Sequence, residues 1–345
     1  MKKSFLVSVG LLLVGFVMLA GSAEAQTALP RAISIGTNHI GSTLHTMGVA
    51  AAKVVTDHTP MKMVVKPMSG AVAWYPYVER GEIEMGDLNM WDAEKGYMGE
   101  SLYDRLSGGK GFSVRLICST VPNTAGLMVA KDSPVKTIPE LKGKRVAGKF
   151  PTPGIQVQTE AFLINGNLTY KDVTPVPANS PPDGVKLVMD GRAEASGTIT
   201  LGTPIINELE AKKGARYLPM DPSPEAVARM KKLFPGYMSK VSPGPVNVGV
   251  TQEMHLWSYD MYLIVGEKVS DDVVYAITKA LWENYKELEQ VHKQFKDWRS
   301  ENFVSKHATI PYHNGAVKFY KEKKVWDAEM DRIQKGLIDR KMAKK

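Results

Sequence analysis

Short apolar runs alternate with stretches of helical periodicity along the chain from Arg31 onward. The first run is closed by Gly36, and apolar residues then recur at the spacing of one helix face, at Leu44, Met47, Ala51 and Val55. A second helix is predicted over residues 74–80, ending at Gly81. Strands are predicted over residues 33–35, 61–66, 83–88, 116–119 and 126–130.

The same alternation resumes after Lys131 with clear helix punctuation. Thr137 and Glu140 have the spacing of a capping box, with Gly143 as the helix stop. Thr203 before Pro204 predicts an N-cap for a helix that runs to Gly214. The other helices are predicted over residues 155–165 and 185–190, and the strands over residues 144–147, 173–176 and 215–219.

The last third predicts one further strand and a helical C-terminal region. The strand covers residues 261–265, and residues 270–272 cap a helix whose apolar face carries Val274, Ile277, Leu281, Tyr285 and Leu288. Residues 312–345 are mostly helical and strongly charged. Strands alternating with helix-length crossovers predict an α/β fold with mainly parallel sheets, in which ligands bind at the carboxyl ends of the strands.

The N-terminal pattern indicates export. Lys2 and Lys3 precede an apolar run over residues 5–20, and the small-residue sequence Ala-Glu-Ala at residues 23–25 follows. This is the layout of a cleaved signal peptide covering residues 1–25, with a periplasmic mature protein; a retained N-terminal anchor is the alternative. The run is shorter than the roughly 20 residues that span a bilayer. Cys118 is the only cysteine, which excludes an internal disulfide and favours a buried thiol.

The length and the net charge of the chain exclude few functions. The 345 residues are enough for two domains, and the net charge of +8 becomes +7 once Lys2, Lys3 and Glu24 are removed with the signal peptide. This charge is compatible with nucleic acid, an anionic surface or an acidic solute. A nucleic-acid or adhesion protein remains a third hypothesis, but no cluster of basic and aromatic residues supports it, and we predict no nucleic-acid partner.

Motifs of catalysis are missing from the sequence. It contains no nucleophile elbow, zinc-protease helix, phosphate-binding loop or paired cysteines, so we predict neither enzyme activity nor a metal or cofactor. His39 and His45 do not have a metal-ligand spacing. The alternative is a secreted enzyme of the same fold acting on a small acidic substrate, with Asp87, Asp92 or Glu94 as acid or base.

Four loops could instead hold a small polar molecule. The loop over residues 36–43 joins a strand to a helix and offers backbone N–H groups and hydroxyls suited to a carboxylate, although a plain glycine connector with Thr43 as the helix cap is an equal alternative. The other loops are residues 68–70, 89–91 and 150–154. The candidate ligand-binding residues are Thr37, Asn38, His39, Ile40, Ser42, Ser69, Gly70, Asn89, Trp91, Thr152, Gly154, Ile155, Thr198, Thr200 and Trp257.

Several runs resemble one family of receptors. They are IGT at residues 35–37 with Gly41, SGAV at 69–72, GEIEMG at 81–86, LKGKRV at 141–146, DVVYAITKALWEN at 272–284 and IPYHNGAVKFY at 310–320. Their order is similar to that of the TAXI (TRAP-associated extracytoplasmic immunogenic) solute receptors over nearly the whole mature chain.

The resemblance implies a two-lobed periplasmic binding protein of type II, with mixed, mainly parallel sheets, a hinge and a central cleft. Lobe I would comprise residues 26–131 and 252–345, lobe II residues 132–251, and the crossings would lie near residues 129–133 and 248–253. The protein would be a monomer that binds a small organic acid (an amino acid, dicarboxylate or keto acid) and delivers it to a TRAP-type permease. The family places its ligand at residues 37–42, at Ser69-Gly70 and at residues 150–155.

This chain departs from the family pattern at the ligand loops. Asn38, His39 and Ile40 add side chains where the family has more glycines. The loop over residues 151–154 carries two prolines, and Trp91 lies in a segment that is usually more polar. These differences predict a pocket of another shape, so we do not assign the ligand of another family member to this chain.

Overall fold

The computed structural model describes residues 29–40, 42–150 and 153–344. The signal-peptide prediction lies outside the described residues, as does Thr152. Within the described chain, ten strands form one sheet: β1 Ala32–Thr37, β2 Lys62–Pro67, β3 Met85–Asn89, β4 Val114–Ala130, β5 Arg145–Lys149, β6 Thr174–Pro177, β7 Ala195–Thr200, β8 Ala215–Tyr217, β9 Tyr237–Val241 and β10 Met254–Gly266.

Helices connect these strands and cover the sheet. The α-helices are α1 Thr43–His58, α2 Ala71–Arg80, α3 Met90–Met98, α4 Leu102–Ser107, α5 Pro153–Asn165, α6 Pro181–Met189, α7 Ile205–Lys213, α8 Pro224–Lys231, α9 Asp271–Glu283, α10 Tyr285–Val291, α11 Asn314–Glu322 and α12 Ala328–Lys344. Short 3-10 helices lie at Ile138–Leu141, Lys293–Asp297 and Ser300–Asn302.

The sheet has the strand order β2-β1-β3-β10-β4-β7-β5-β6, with β8 beside β4 and β9 beside β10. β1 runs parallel to β2 and β3, and β5 runs parallel to β6 and β7. β4 and β10 are antiparallel to the strands with which they pair. The α/β class predicted from the sequence is confirmed, in a mixed sheet whose two parallel groups are joined by two long antiparallel strands.

β10 pairs with strands of both halves of the sheet, and β4 joins β10 to the second half. The first half contains β1, β2 and β3, and the second half contains β5 to β9. β10 pairs with β9 through Met254–Ser258 and with β3 through Met261–Val265, and β4 pairs with β7 from Ala125 onward. The change of partners lies inside these two strands, upstream of residues 129–133 in β4 and downstream of residues 248–253 in β10. A continuous strand keeps its backbone hydrogen bonds through the crossing.

The two predicted strands at residues 116–119 and 126–130 are parts of β4. Pro122, which has no backbone N–H to donate, lies opposite Asp260 where the pairing register of β4 and β10 shifts. Such an irregularity accommodates a proline within a ladder, so the strand continues where the sequence suggests a break.

Most helix ends agree with the sequence, but several helix starts and one helix type do not. Gly81 is left-handed at the end of α2, and Gly214 follows α7. At the predicted capping box the chain forms only a four-residue 3-10 helix, and Glu140 accepts from the Thr137 hydroxyl and the Lys136 N–H. Pro204 takes the cap position predicted for Thr203, and Ser42 takes the one considered for Thr43. The long predicted helix from Ser270 is divided at Asn284 into α9 and α10.

Candidate ligand site between the sheet halves

The end of β1 carries Thr37, whose buried hydroxyl hydrogen-bonds within its own loop. Its Oγ1 donates to the Asn38 carbonyl oxygen over 3.0 Å and lies 3.1 Å from Nδ1 of His45. Ser42 accepts from the His45 N–H at the start of α1 and donates to the His39 carbonyl oxygen. The described residues of this loop therefore hold one another in place, and Ile40, at 75% exposure, is directed outward.

The second predicted loop lies against the first. The Met68 N–H donates to the Thr37 carbonyl oxygen, which places the end of β2 beside β1. Gly70 adopts a φ of +125°, and a Cβ there would lie 3.3 Å from Oδ1 of Asn38. A side chain at Gly70 would be strained and would crowd Asn38. Asn38, Ser69 and Gly70 are thus brought together as the sequence predicts, with Ser69 exposed.

Asn89 begins a helix rather than a loop. Its side chain accepts from the Asp92 N–H and donates to Oδ2 of Asp92, so residues 89–91 start α3. The Tyr103 hydroxyl donates to the other carboxylate oxygen of Asp92 over 2.8 Å. Burial raises the pKa of Asp92, and these two donors lower it in part. The sequence missed this helix because its N-cap signal is a single asparagine without a glutamate three residues later.

Trp91 connects the two halves of the sheet. Its indole Nε1 donates to the Leu233 carbonyl oxygen, and its ring stacks on Phe234, which follows α8 of the second half. A Cβ on Gly154, at the start of α5, would lie 3.6 Å from the Trp91 ring and 4.0 Å from Oδ2 of Asp92. The contact of Gly154 with Trp91 brings together predicted residues from both halves.

A polar cluster lies at the crossing of the sheet, where β4 and β10 pass between its two halves. The sequence did not predict this cluster. The Tyr259 hydroxyl on β10 lies near the side chains of Gln158, Asn123 and Thr200. Burial raises the pKa of Tyr259, and those three side chains lower it in part. Only Thr200 was a candidate from the sequence. Gln158 lies one helical turn after Gly154, and this spacing is the signal that could have identified it.

Four other candidates have different surroundings. The Thr198 hydroxyl is buried and lies 3.0 Å from the Thr159 hydroxyl, which joins β7 to α5. The Ile155 carbonyl accepts from Thr159 within α5. Trp257 is fully buried against Gly236, and His39 is exposed, with Nδ1 near the carbonyl of Ile40.

The carboxyls considered as acids or bases do not form a catalytic pair. Asp87 is fully buried on β3 near Gly48 and Thr37, where neither carboxyl oxygen has a hydrogen-bond partner in the described chain. Burial raises its pKa well above the usual range, and the nearby Gly48 N–H offsets only part of this. Glu94 pairs with Arg340. Among the described residues, no group of three or more His, Cys, Asp or Glu could hold a metal.

Two cavities lie away from the sheet crossing. One, of about 500 Å³, is lined by Met98, the loop at Gly108 and Gly109, and three lysines of which two come from α12. The other, of about 250 Å³, lies between the end of α2 and the end of β10. Neither is lined by the predicted ligand-binding residues.

Three solved structures share this fold over most of their length. They are PhnD1 from Prochlorococcus marinus in complex with methylphosphonate (10% identity, 86% of this chain and 99% of that one, TM-score 0.51), a putative periplasmic sulfonate-binding protein SsuA from Methylobacillus flagellatus (14%, 86% and 96%, 0.52) and a TctC solute-binding protein from Polaromonas (15%, 90% and 98%, 0.51).

The fold is therefore that of the periplasmic solute-binding proteins, as the resemblance implied. The NMT1-like family matches residues 35–323, and the chain belongs to that family. Among the described residues, no helix is both long and apolar enough to cross a membrane.

Proposed function

We propose that this protein is an extracytoplasmic receptor that binds a small organic acid between the two halves of its sheet and delivers it to a TRAP-type permease. The observation that carries the proposal is the meeting of Gly154 with Trp91. Residues after β3 of the first half and at the start of α5 of the second half converge at the carboxyl ends of parallel strands, where ligands of such folds bind.

The two lobes would follow the division of the sheet. Residues 26–131 and 252–345 would form lobe I, and residues 132–251 lobe II. β10 pairs with β3 of the first half and β9 of the second, and β4 joins β10 to β7, so bending near Pro122 and Asp260 would open or close the space between the halves.

The ligand and transporter classes rest on sequence resemblance. The TAXI-like runs point to a small organic acid and a TRAP-type permease, and the N-terminal pattern points to export into the periplasm. The structure of one relative holds methylphosphonate and another relative is described as a sulfonate-binding protein, so small anions are compatible with this fold.

Binding without chemical change is supported by the state of Asp92. Both of its carboxylate oxygens already accept hydrogen bonds, from Asn89 and Tyr103, and it has no histidine partner among its described contacts. These contacts fix Asp92 at the start of α3, and its described hydrogen-bond partners include no group that would accept a proton from it in a catalytic pair.

Ligand-induced stabilisation tests the proposal. The protein would be heated with a panel of mono- and dicarboxylates, amino acids and keto acids; a ligand at 100 times its Kd adds about 2.7 kcal/mol to the free energy of unfolding. Recovery of the unchanged compound by mass spectrometry would support a receptor, and a converted product would indicate an enzyme. If no member of the panel raises the melting temperature, the organic-acid assignment is wrong.

Two variants localise the binding. Asn38→Ala should weaken the ligand that the panel identifies, because it removes a side chain beside the Ser69-Gly70 turn. Val72→Ala, on the exposed side of α2, is the matched control and should bind as the wild type does. Equal affinity of both variants would place the ligand elsewhere.

A further inference from the structure

Gln158 presents an unpaired donor at the crossing of the sheet. Its side chain is 2% exposed, and Nε2 makes no hydrogen bond within the described chain. The amide lies near the Tyr259 hydroxyl, and its Nε2 makes no hydrogen bond with that oxygen. Buried amide donors almost always have an acceptor, because burial removes their hydrogen bonds to water.

Gln158 lies on α5 close to the place where the two halves of the sheet meet. It lies four residues after Gly154 on α5, and residues four apart share a helix face. Gly154 faces Trp91 and Asp92 of the first half. The unpaired amide is therefore on the side of α5 that faces the first half.

The side chains around the Tyr259 hydroxyl are neutral hydrogen-bond donors. Asn123 donates from Nδ2 to the Tyr259 hydroxyl over 3.4 Å, and the Thr200 hydroxyl is near that oxygen. The side chains that donate hydrogen bonds to Asp92 and Tyr259 are neutral as well: Asn89 and Tyr103 donate to Asp92, and Asn123 donates to Tyr259. A second negative charge on a ligand here would lose its hydration without gaining a cation.

We propose that Gln158 Nε2 and the Tyr259 hydroxyl bind one acceptor group of the ligand, a carbonyl or a single carboxylate, and so select acids with no more than one negative charge. The proposal rests on the receptor function proposed above and narrows its ligand class. Gln158 would be a specificity-determining residue.

Charge-matched ligands test the selection. The panel would pair each dicarboxylate with its monoamide, for example glutarate with glutaramate, and Kd would be measured by calorimetry on the mature protein. We expect the monoamide to bind at least about tenfold more tightly, the difference of one unfavourable charge. Tighter binding of the dicarboxylates would overturn the selection and leave the receptor function standing. Binding of neither class would overturn both.

Variants test the residue. Gln158→Leu should weaken the best monoanion about ten- to hundredfold, the usual effect of losing a hydrogen bond to a charged group. Gln156→Leu, on a partly exposed position of the same helix, is the control and should leave Kd unchanged. Tyr259→Phe, which removes only one oxygen, replaces the first variant if that one does not fold. Wild-type affinity in either folded variant would overturn the role of the cluster.

Discussion

The indole Nε1 of Trp91 donates a 3.0 Å hydrogen bond to the carbonyl oxygen of Leu233. The first residue belongs to α3 and the second follows α8, so this bond ties the first half of the sheet to the second. The ring of Phe234 stacks on Trp91 on one side and meets Tyr259 edge-on, at 5.3 Å between ring centroids. An aromatic chain therefore runs from α3 to the crossing strand β10.

Trp91→Phe should loosen this contact in the protein without added ligand. The variant leaves the Leu233 carbonyl without its donor, which costs about 1–2 kcal/mol in the free energy of unfolding. We expect a lower melting temperature and a larger radius of gyration by small-angle X-ray scattering. Trp282→Phe is the control, because the Trp282 ring contacts Phe303 and Phe319 within one half. If both variants keep the wild-type radius, Trp91 does not hold the halves together.

Asp87→Asn should change the pH dependence of stability. The folded-state pKa of Asp87 is raised well above that of the unfolded chain, so the folded protein binds the extra proton and loses stability as pH rises through this interval. Relative to the wild type, the free energy of unfolding of the variant should rise by up to about 1.4 kcal/mol per pH unit above pH 4. Urea unfolding at several pH values measures this difference. A difference that does not vary with pH would show that Asp87 titrates normally.

Gly86→Ala should destabilise the first half strongly. A Cβ on Gly86 would lie 2.4 Å from the buried indole of Trp74, and this overpacking should cost about 1–3 kcal/mol. Gly336→Ala makes the same change in α12 with no atom within 4 Å, and should stabilise by about 0.5–1 kcal/mol because alanine is the better helix former. Chemical denaturation of the two variants compares them, and a stable Gly86→Ala would contradict the tight packing of Trp74.

The thiol of Cys118 should react only when the protein unfolds. Cys118 is fully buried on β4, as the sequence predicted, and burial raises its pKa above the usual range of a thiol. A disulfide exchange reagent should leave the native protein unmodified for as long as it stays folded, and labelling should follow unfolding in denaturant. Rapid labelling of the native state would mean that β4 opens locally.

Elements with local signals were predicted well. β1, α1 and α2 follow from short apolar runs, helical spacing and the left-handed Gly81. β7 was missed because its residues, ASGTIT, are small or polar and have no strand pattern. It forms because Gly197 lets the chain approach Thr159 of α5, a contact between residues far apart in the sequence.

The candidate site was predicted only in its loops. From the sequence we predict that Asn38, Ser69 and Gly70 lie close together, since each follows a parallel strand of one sheet. It did not identify Asn123, Gln158 or Tyr259, which lie on a strand or a helix and become neighbours only where the two halves meet.

The sequence by itself determined the alternation of strands and helices, the α/β class and most helix ends, because these depend on residues within a few positions of one another. The tertiary structure alone decided that β4 and β10 cross between the halves, that Trp91 reaches Leu233 and that Gln158 lies beside Tyr259. These contacts join residues more than one hundred positions apart, or depend on strand pairings that no local pattern encodes, so their partners become defined only when the sheet is assembled.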